Sequence, residues 1–350
     1  MLKKLFLSLL LLLLLVIAGV YLAGGWLLGV GTRAALPRLV ATLERTGLRL
    51  ARCEFNQAAV RPPAHLSWEA WRVDLVPPST AAKPTPDTLP VQVAALHLRF
   101  TDWAPLTADL AVEGIHLDTA FVPPAAADLP FAGDEYGVAI ERIDAGFLTI
   151  AALAVDTDLR STLAALATDL QSLARDGHTA RNLSLGARLH FKLKNRPLAV
   201  RLESVRRDGA TWLRFNASDI AELSRRYPRP LTAAEQQILC DHPQRALLLL
   251  RIKEYAERVA LRLSRTERAY GEDFTRHVLW SYWLARTYGA DFAQSVTDAH
   301  EIGTASNTAA EHRQDYANNT IGRTYALMKK SEGQVLQLIK TDPKIIRVAK

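Results

Sequence analysis

The residues best suited to chemistry lie in the last third of the chain, where histidines, carboxylates, amides and an arginine occur close together. Imidazole and carboxylate groups can transfer protons or bind metal ions, whereas amide and guanidinium groups bind phosphates and carboxylates. The candidate site residues are His277, His300, Glu301, Asp315, Asn318, Asn319 and Arg323. Their types predict a polar site for proton transfer, metal binding or anion binding.

The spacing of apolar residues predicts which of these side chains face the interior. His277 lies within the apolar stripe of one predicted helix, and His300 lies on the inward stripe of the next. Asp315, Asn319 and Arg323 repeat at i, i+4 and i+8, so they share one face of a third helix. Because an unpaired polar group is costly to bury, these side chains must find partners in the fold or in a ligand.

Two catalytic interpretations fit these residues. In the first, His300, Glu301 and Asp315, with His277 as a further candidate, bind a divalent metal ion whose bound water becomes the nucleophile. In the second, His277 is a general base that activates water without a metal and is oriented by Asp315 or Glu301. The spacing differs from the His-Glu-x-x-His zinc helix, and both interpretations stay open.

Substrate binding and a purely structural role are the other interpretations. Asn318, Asn319 and Arg323 carry donors that could hold a phosphate or a carboxylate of a substrate. In the structural interpretation, Asp315 pairs with Arg323 through Asn319, and each histidine bonds to a backbone carbonyl. The sequence therefore leaves a possible hydrolase and a buried hydrogen-bond network as competing readings of the same residues.

Three polar blocks carry a resemblance to a known family. Arg276-His-Val-Leu-Trp280, Thr297-Asp-Ala-His-Glu301 and Asp315-Tyr-Ala-Asn-Asn-Thr-Ile-Gly-Arg323 resemble the signature of an uncharacterised bacterial helical domain family. The pattern is Arg-His-x-x-Trp, then Asp-Ala-His-Glu, then Asp-x-x-Asn-Asn-x-x-Gly-Arg, and the match covers residues 232–326. The resemblance implies that these polar residues belong to one site, and it supplies no reaction.

The elements that position these residues are helices. Thr232 and Glu235 form a capping-box pattern that predicts a helix start, and Pro243 separates that helix from the next. Glycines at 271, 289 and 303 fall at the predicted junctions. The predicted helices after Pro243 cover residues 246–263, 272–288, 291–300 and 309–330.

The preceding region has the alternation of half-buried strands. Apolar and polar residues alternate over residues 91–100, 108–118 and 185–193, with proline-rich loops between some strands and a predicted helix at 161–173. With a basic N-terminal anchor and a short helix before it, the strand Leu106–Asp118 resembles those of AsmA-like envelope proteins. That resemblance implies a lipid-handling or scaffolding role outside the inner membrane, and a plain β-rich spacer is the alternative.

The N-terminus predicts a membrane anchor. Leu5 to Gly31 carries no charged side chain and is long enough to cross a bilayer, with Lys3 and Lys4 before it. We interpret it as an uncleaved signal anchor rather than a cleaved signal peptide. The predicted location is the inner membrane, single-pass, with the N-terminus in the cytoplasm and the bulk of the chain in the periplasm.

Composition supports a folded, exported protein. The chain has 350 residues, 49% of them apolar, and a net charge of +7, which exclude a disordered chain and allow two domains. The positive charge suits nucleic acid, anionic lipid or cell-wall polymer, and export makes nucleic acid an unexpected partner. Cys53 and Cys240 could form a disulfide in an oxidising compartment or stay as thiols.

Together these patterns predict an α+β protein with an N-terminal transmembrane helix, a β-rich antiparallel region and a C-terminal all-helical bundle. The predicted segments are a membrane anchor at 1–33, the β-rich region at 34–219, the helical domain at 220–330 and a basic tail at 331–350. The expected function is hydrolysis of a lipid or cell-wall substrate, with a divalent metal as a candidate cofactor. The alternative is a non-enzymatic envelope assembly or lipid-handling factor, whose protein partners the sequence does not identify.

Overall fold

A β-sheet and a set of C-terminal helices make up the computed structural model, which confirms the predicted α+β class. The structure describes residues 24–38, 40–41, 49–61, 65–76, 89–103, 105–121, 138–154, 159–193, 196–226, 230–302 and 308–348. The chain forms two compact units. One holds most of the sheet, up to Leu213, and the other holds the helices from residue 214 onward.

The sheet contains ten strands among the described residues. They are β1 (Arg49–Glu54), β2 (Gln57–Arg61), β3 (His65–Val76), β4 (Leu89–Trp103), β5 (Leu106–Phe121), β6 (Val138–Ala154), β7 (His178–Thr179), β8 (Leu183–Leu193), β9 (Arg196–Arg207) and β10 (Ala210–Phe215). Their order is β1-β3-β4-β5-β6-β8-β9-β10-β7, with β2 also paired to β3. β1, β2 and β4 pair antiparallel with β3, as β5 does with β4.

The strands predicted from alternation at 91–100, 108–118 and 185–193 are confirmed as parts of β4, β5 and β8. The predicted helix at 161–173 is confirmed within α2 (Leu159–Asp176). Leu173 of this helix packs in an apolar cluster with Ile150, Leu153, Leu183 and Leu213 of the sheet. Burial of these side chains holds α2 against one part of the sheet.

The N-terminal part of the described chain is a helix, α1, at residues 24–38. Gly24, Gly25 and Gly29 face β2, and a Cβ on Gly25 would lie 2.9 Å from the Ala58 carbonyl oxygen. Trp26, Leu27 and Val30 are exposed. Among the described residues, no helix is both long and apolar enough to span a membrane. Most of the predicted span, residues 5–23, lies outside the described residues.

Seven helices follow the sheet in the described chain. They are α3 (Ala217–Arg226), α4 (Ala233–Asp241), α5 (Pro243–Thr266), α6 (Glu272–Tyr288), α7 (Ala290–Glu301), α8 (Ala309–Leu327) and α9 (Glu332–Thr341). α6 packs against α5, α7 and α8, and α7 also packs against α4. Fully buried apolar side chains of α5, α6 and α9, such as Ile252, Leu279 and Ile339, fill the interior.

The local signals for helix boundaries are confirmed. Thr232 and Glu235 form a reciprocal capping box at the start of α4, and Pro243 is the first residue of α5. The helices predicted at 272–288, 291–300 and 309–330 match α6, α7 and α8 to within a few residues. Gly289 joins α6 to α7 with φ of +89°, a conformation that glycine adopts without steric cost.

The C-terminal segment differs from the predicted basic tail at 331–350. It contains α9, whose Val335 and Ile339 are fully buried, and Ile345 is also buried. The tail prediction was wrong because, although the segment is rich in lysine, the i, i+4 spacing of Val335 and Ile339 forms an inward apolar stripe. Cys53 and Cys240 are both free thiols in the structure.

Candidate functional site

The candidate site lies where α6 and α8 come into close contact. A Cβ on Gly322 would lie only 2.3 Å from the Val278 carbonyl oxygen, so only glycine allows this approach. Ser281 Oγ donates to the Asn319 carbonyl across the contact, at 2.6 Å. These contacts hold the polar side chains of both helices at fixed separations.

His277 of α6 is at the centre of the site and is only 1% exposed. Its Nδ1 lies 3.3 Å from Asn319 Oδ1 and 3.4 Å from Glu301 Oε1. Asn319 Nδ2 in turn donates to the same Glu301 oxygen, at 3.1 Å. The Nδ1 side of the ring is therefore held by an amide and a buried carboxylate.

The Nε2 side of His277 faces two aspartates and an arginine. Nε2 lies 3.2 Å from Asp315 Oδ1 and 3.7 Å from Asp273 Oδ1. Arg276 Nη2 lies 2.7 Å from both His277 Nε2 and Asp273 Oδ1. Gln314 Nε2 donates to the other Asp273 oxygen, at 2.9 Å. Asp273 and Arg276 are partly exposed, so this side of the ring lies nearer to solvent.

Burial determines the electrostatics of the site. Desolvation and the positive charge of Arg276 lower the pKa of His277 well below its usual value, so the imidazole is neutral. Desolvation and the charge of Asp315 raise the pKa of Glu301 to about 7. Desolvation and the charge of Asp273 raise the pKa of Asp315. The neutral His277 ring is thus surrounded by the carboxyl groups of Asp273, Glu301 and Asp315, with Arg276 beside it.

These positions bring together three side chains that could hold a metal ion. One ligand atom each from Asp273, His277 and Asp315 lies within 4.8 Å of the others. If Nδ1–H donates to Asn319, Nε2 carries a lone pair, and it then faces carboxylate oxygens that are acceptors themselves. Three converging acceptors repel one another unless a positive charge or a proton lies between them, and the Arg276 guanidinium supplies one such charge beside His277 and Asp273. Two carboxylates and a histidine suit zinc, manganese or a similar divalent ion.

His300 lies at a different position from the ligand atoms around His277. Its Nδ1 is 2.7 Å from Glu235 Oε1, and its ring meets the edge of Trp280 with centroids 5.0 Å apart. Thr232 Oγ1 adds a hydrogen bond to the Ala299 carbonyl, at 2.7 Å. These contacts hold the end of α7 against the start of α4, so His300 stabilises the packing of these two helices.

The three residues predicted to bind substrate are dispersed. Asn319 belongs to the His277 site, as described above. Asn318 exchanges two hydrogen bonds with the backbone of Ile346, at 2.9 and 3.1 Å, and so holds the C-terminal segment. Arg323 donates to the hydroxyls of Thr297 and Thr320, at 3.2 and 2.9 Å. The predicted site residues on α8 therefore face three different surroundings.

Three residues of these two clusters did not enter the sequence-based site. Asp273 precedes His277 by four residues, so the helical period alone places the two side chains on one face. Arg276 is adjacent to His277 and is part of the Arg-His-x-x-Trp block. Glu235 was assigned only to its capping box, and no spacing rule connects it with His300, which follows it by 65 residues.

The comparisons with known proteins concern the helical part of the chain. A family model described as a domain of unknown function (DUF6973) matches residues 236–345. This match agrees with the predicted resemblance of the C-terminal region to an uncharacterised domain family. Neither the curated proteins nor the solved structures gave a match to this chain. The resemblance of the β-rich region to AsmA-like proteins is not shown by these comparisons.

Proposed function

We propose that the helical unit is a metal-dependent hydrolase in which Asp273, His277 and Asp315 bind a divalent cation. The single observation that carries the proposal is the convergence of these three ligand atoms within 4.8 Å. Glu301 and Asn319 hold the opposite ring nitrogen, an arrangement typical of histidines that bind metals. Of the metal ligands predicted from the sequence, only Asp315 is a ligand in this proposal. Glu301 orients His277 instead of binding the metal, and His300 does not belong to the site.

The charge of the site supports a cation of charge +2. Asp273, Glu301 and Asp315 contribute three carboxylates, His277 is neutral and Arg276 contributes one positive charge. With all three carboxylates ionised, the cluster would carry an excess of two negative charges, and the raised pKa values of Glu301, to about 7, and of Asp315 reflect the cost of that state without a further positive charge. A divalent ion would neutralise that excess in a place where burial makes charge costly.

Hydrolysis requires few groups besides the three proposed ligands and their metal ion. Three protein ligands leave a position for water, and a bound divalent cation lowers the pKa of that water and polarises a scissile carbonyl or phosphoryl group. Arg276 Nη2 lies 2.7 Å from His277 Nε2 and Asp273 Oδ1, at the partly exposed side of the site, so a cation bound there would displace the guanidinium, which could then bind an anionic oxygen of the substrate. Glu301 keeps the His277 ring in the orientation that presents Nε2 to the cation.

The proposed location is the periplasmic side of the inner membrane, with a lipid or cell-wall substrate. The uncharged stretch from Leu5 to Gly31 supports the anchor, and the exposed Trp26, Leu27 and Val30 of α1 suit a membrane interface. A substrate at or near the bilayer would then be reached by an anchored enzyme. Lipid esters, phosphodiesters and cell-wall amides all fit a metal-activated water.

The test is hydrolysis by the full chain of a chromogenic ester and a chromogenic phosphodiester with added zinc or manganese. We expect metal-dependent turnover of one of them, lost in Asp315→Asn and Asp273→Asn. Asp291→Asn is the matched control, because Asp291 is an exposed acidic residue at the start of α7. Turnover that persists unchanged in both site variants would contradict the proposal.

The second candidate is a non-enzymatic envelope assembly or lipid-handling factor in which the same residues form a structural network. The burial of His277, Asp315 and Glu301, each at most 2% exposed, favours this alternative. So do the hydrogen bonds of Asn318 to the C-terminal segment. Under this alternative, every polar substitution in the site would lower the melting temperature and none would change a metal-dependent property.

A further inference from the structure

Two amide side chains of α8 bind a short stretch near the C-terminus, residues 345–348, which we call the C-terminal strap. Gln314 and Asn318 lie four residues apart, so both side chains are on one face of α8. Asn318 exchanges two hydrogen bonds with the Ile346 backbone, at 2.9 and 3.1 Å. Gln314 Oε1 accepts a hydrogen bond from the Val348 backbone N–H at 2.6 Å. The strap is therefore docked along this face of the helix.

The other end of the Gln314 amide contacts two of the proposed metal ligands. Its Nε2 donates to Asp273 Oδ2 at 2.9 Å and lies 3.5 Å from Asp315 Oδ1. The side chain of Gln314 is buried, at 1% exposure, so the protein supplies its hydrogen-bond partners. A backbone N–H can only donate and an ionised carboxylate can only accept, so the strap and the carboxylates together fix which end of the amide faces the site.

Further contacts hold the strap in place. Ile345 is buried in the helical unit. Arg347 Nη2 donates to the Ile339 carbonyl in α9 at 2.6 Å, and its guanidinium lies 5.4 Å from the centre of the Phe274 ring in α6. The strap thus bridges the two helices of the site, α6 and α8, and the end of α9.

We propose that Gln314 is a positioning residue for the metal site and that the docked strap sets its position. This inference rests on the proposed function, because it takes Asp273 and Asp315 as ligands of the cation. Removing a group that orients a metal ligand typically lowers metal affinity roughly 10- to 100-fold. Docking of the strap strengthens metal binding through Gln314, and release of the strap weakens it. The strap itself contains only isoleucine, arginine and valine, so it acts without supplying a ligand atom.

The test is calorimetric titration of the full chain with zinc or manganese, whichever binds the unaltered chain more tightly, together with the melting temperature without metal. Val348→Pro removes the backbone N–H that donates to Gln314, whereas Val348→Ala keeps it and is the matched control. We expect Val348→Pro to weaken metal binding about threefold or more, as for the loss of one hydrogen bond, and Val348→Ala to leave it unchanged. Gln314→Met, which removes both the donor and the acceptor, should weaken binding about tenfold or more.

A double variant separates positioning through Gln314 from a general loss of stability. In a Gln314→Met background, Val348→Pro should cause no further loss of metal affinity, because the group through which the strap acts is absent. Should Gln314→Met fail to fold, Gln314→Asn replaces it, since its shorter side chain withdraws the amide from the carboxylates.

The outcomes also separate this inference from the proposed function. A lower melting temperature with unchanged metal affinity in Val348→Pro would overturn the inference alone, as would an equal effect of Val348→Pro with and without the Gln314 amide. Absence of metal binding by the unaltered chain would contradict the proposed function itself, and the inference with it.

Discussion

At the scale of single residues, the two ring nitrogens of His277 have different surroundings. Nδ1 faces Asn319 and Glu301, whereas Nε2 faces Asp315, Asp273 and Arg276. The groups at Nδ1 orient the ring, and the groups at Nε2 supply charge. A histidine with this asymmetry is suited to bind a cation through Nε2, since its other nitrogen is already held by supporting groups.

Arg276 occupies the position that a cation would take beside His277 and Asp273. We predict that Arg276→Gln raises the affinity for zinc or manganese about tenfold, because a competing charge-assisted contact is removed. Arg286→Gln on the same helix is the control, since Arg286 donates to Tyr282 and the Lys330 carbonyl. Calorimetric titration measures both variants, and an unchanged or lower affinity in Arg276→Gln would count against the proposed position of the metal.

The sequence predicted the burial of the two histidines better than it predicted their partners. His277 and His300 are both buried, as the apolar stripes of α6 and α7 indicated. Their partners depend on how helices pack, which no single-helix pattern contains. Glu235 thus reaches His300 from a helix far away in the sequence. Asp273 is the exception, because it lies one turn before His277 on the same helix and follows from the helical period.

At the scale of elements, the contact between α6 and α8 depends on Gly322. We predict that Gly322→Ala lowers the free energy of unfolding by about 3 kcal/mol, because the new Cβ would overlap the backbone of α6. Gly333→Ala in α9 is the control, since nothing lies within 4 Å of its added Cβ. That control should stabilise the chain by about 0.5–1 kcal/mol through helix propensity. Denaturant titration measures the free energy of unfolding of both variants. Equal changes in the two would contradict a close contact between α6 and α8 at Gly322.

A hydrogen bond between α8 and the end of α9 makes stability depend on pH. Tyr325 Oη donates to Asp342 at 2.6 Å, and this bond lowers the pKa of Asp342 below its usual value. A lowered carboxyl pKa contributes stability above the unfolded-state pKa, and that contribution is lost as pH falls through the folded-state pKa.

We predict that Tyr325→Phe costs about 1 kcal/mol at neutral pH and that this difference from the wild type shrinks below about pH 4. Chemical denaturation at several pH values measures the difference. A cost that stays constant from pH 7 to pH 3 would show that the Asp342 bond is not its source.

The helices were predictable at this scale because their signals are local. The Thr232–Glu235 capping box, Pro243, Gly271 and Gly289 mark where helices begin and end, and the structure follows them. The third junction glycine, Gly303, lies outside the described residues. The helix α9 was not predicted, because its two buried residues, Val335 and Ile339, form only a short apolar stripe in a lysine-rich segment. Only packing against the other helices distinguishes such a stripe from a solvated tail.

At the scale of the whole molecule, the sequence predicted a sheet followed by helices, and the structure has both. Alternation identified individual strands, such as the one predicted at 108–118 within β5, but it does not contain the pairing order of the ten described strands. That order depends on contacts between residues far apart in sequence, where β6 is followed in the sheet by β8 and β10 by β7. Strand order therefore required the structure.

The proposed anchor predicts where the intact chain is found. We expect the full chain to sediment with inner membranes and to resist extraction at alkaline pH, because residues 5–23, which precede the part of α1 that faces β2, are uncharged and of spanning length. A chain with Leu12→Arg and Leu14→Arg is the variant that should be extracted, since charge within a span is costly. Complete alkaline extraction of the unaltered chain would contradict a membrane-spanning anchor.

The most direct test of the metal proposal is thermal unfolding of the full chain with and without zinc or manganese. A ligand that binds only the folded state at about 100 times its Kd adds roughly 2.7 kcal/mol of stability. We predict a metal-induced rise in melting temperature that disappears in Asp273→Asn and Asp315→Asn. His300→Ala should melt lower, because it breaks the Glu235 contact, yet keep the full metal-induced rise. No rise in the unaltered chain, or a rise lost in His300→Ala and kept in Asp273→Asn, would contradict the proposed ligand set.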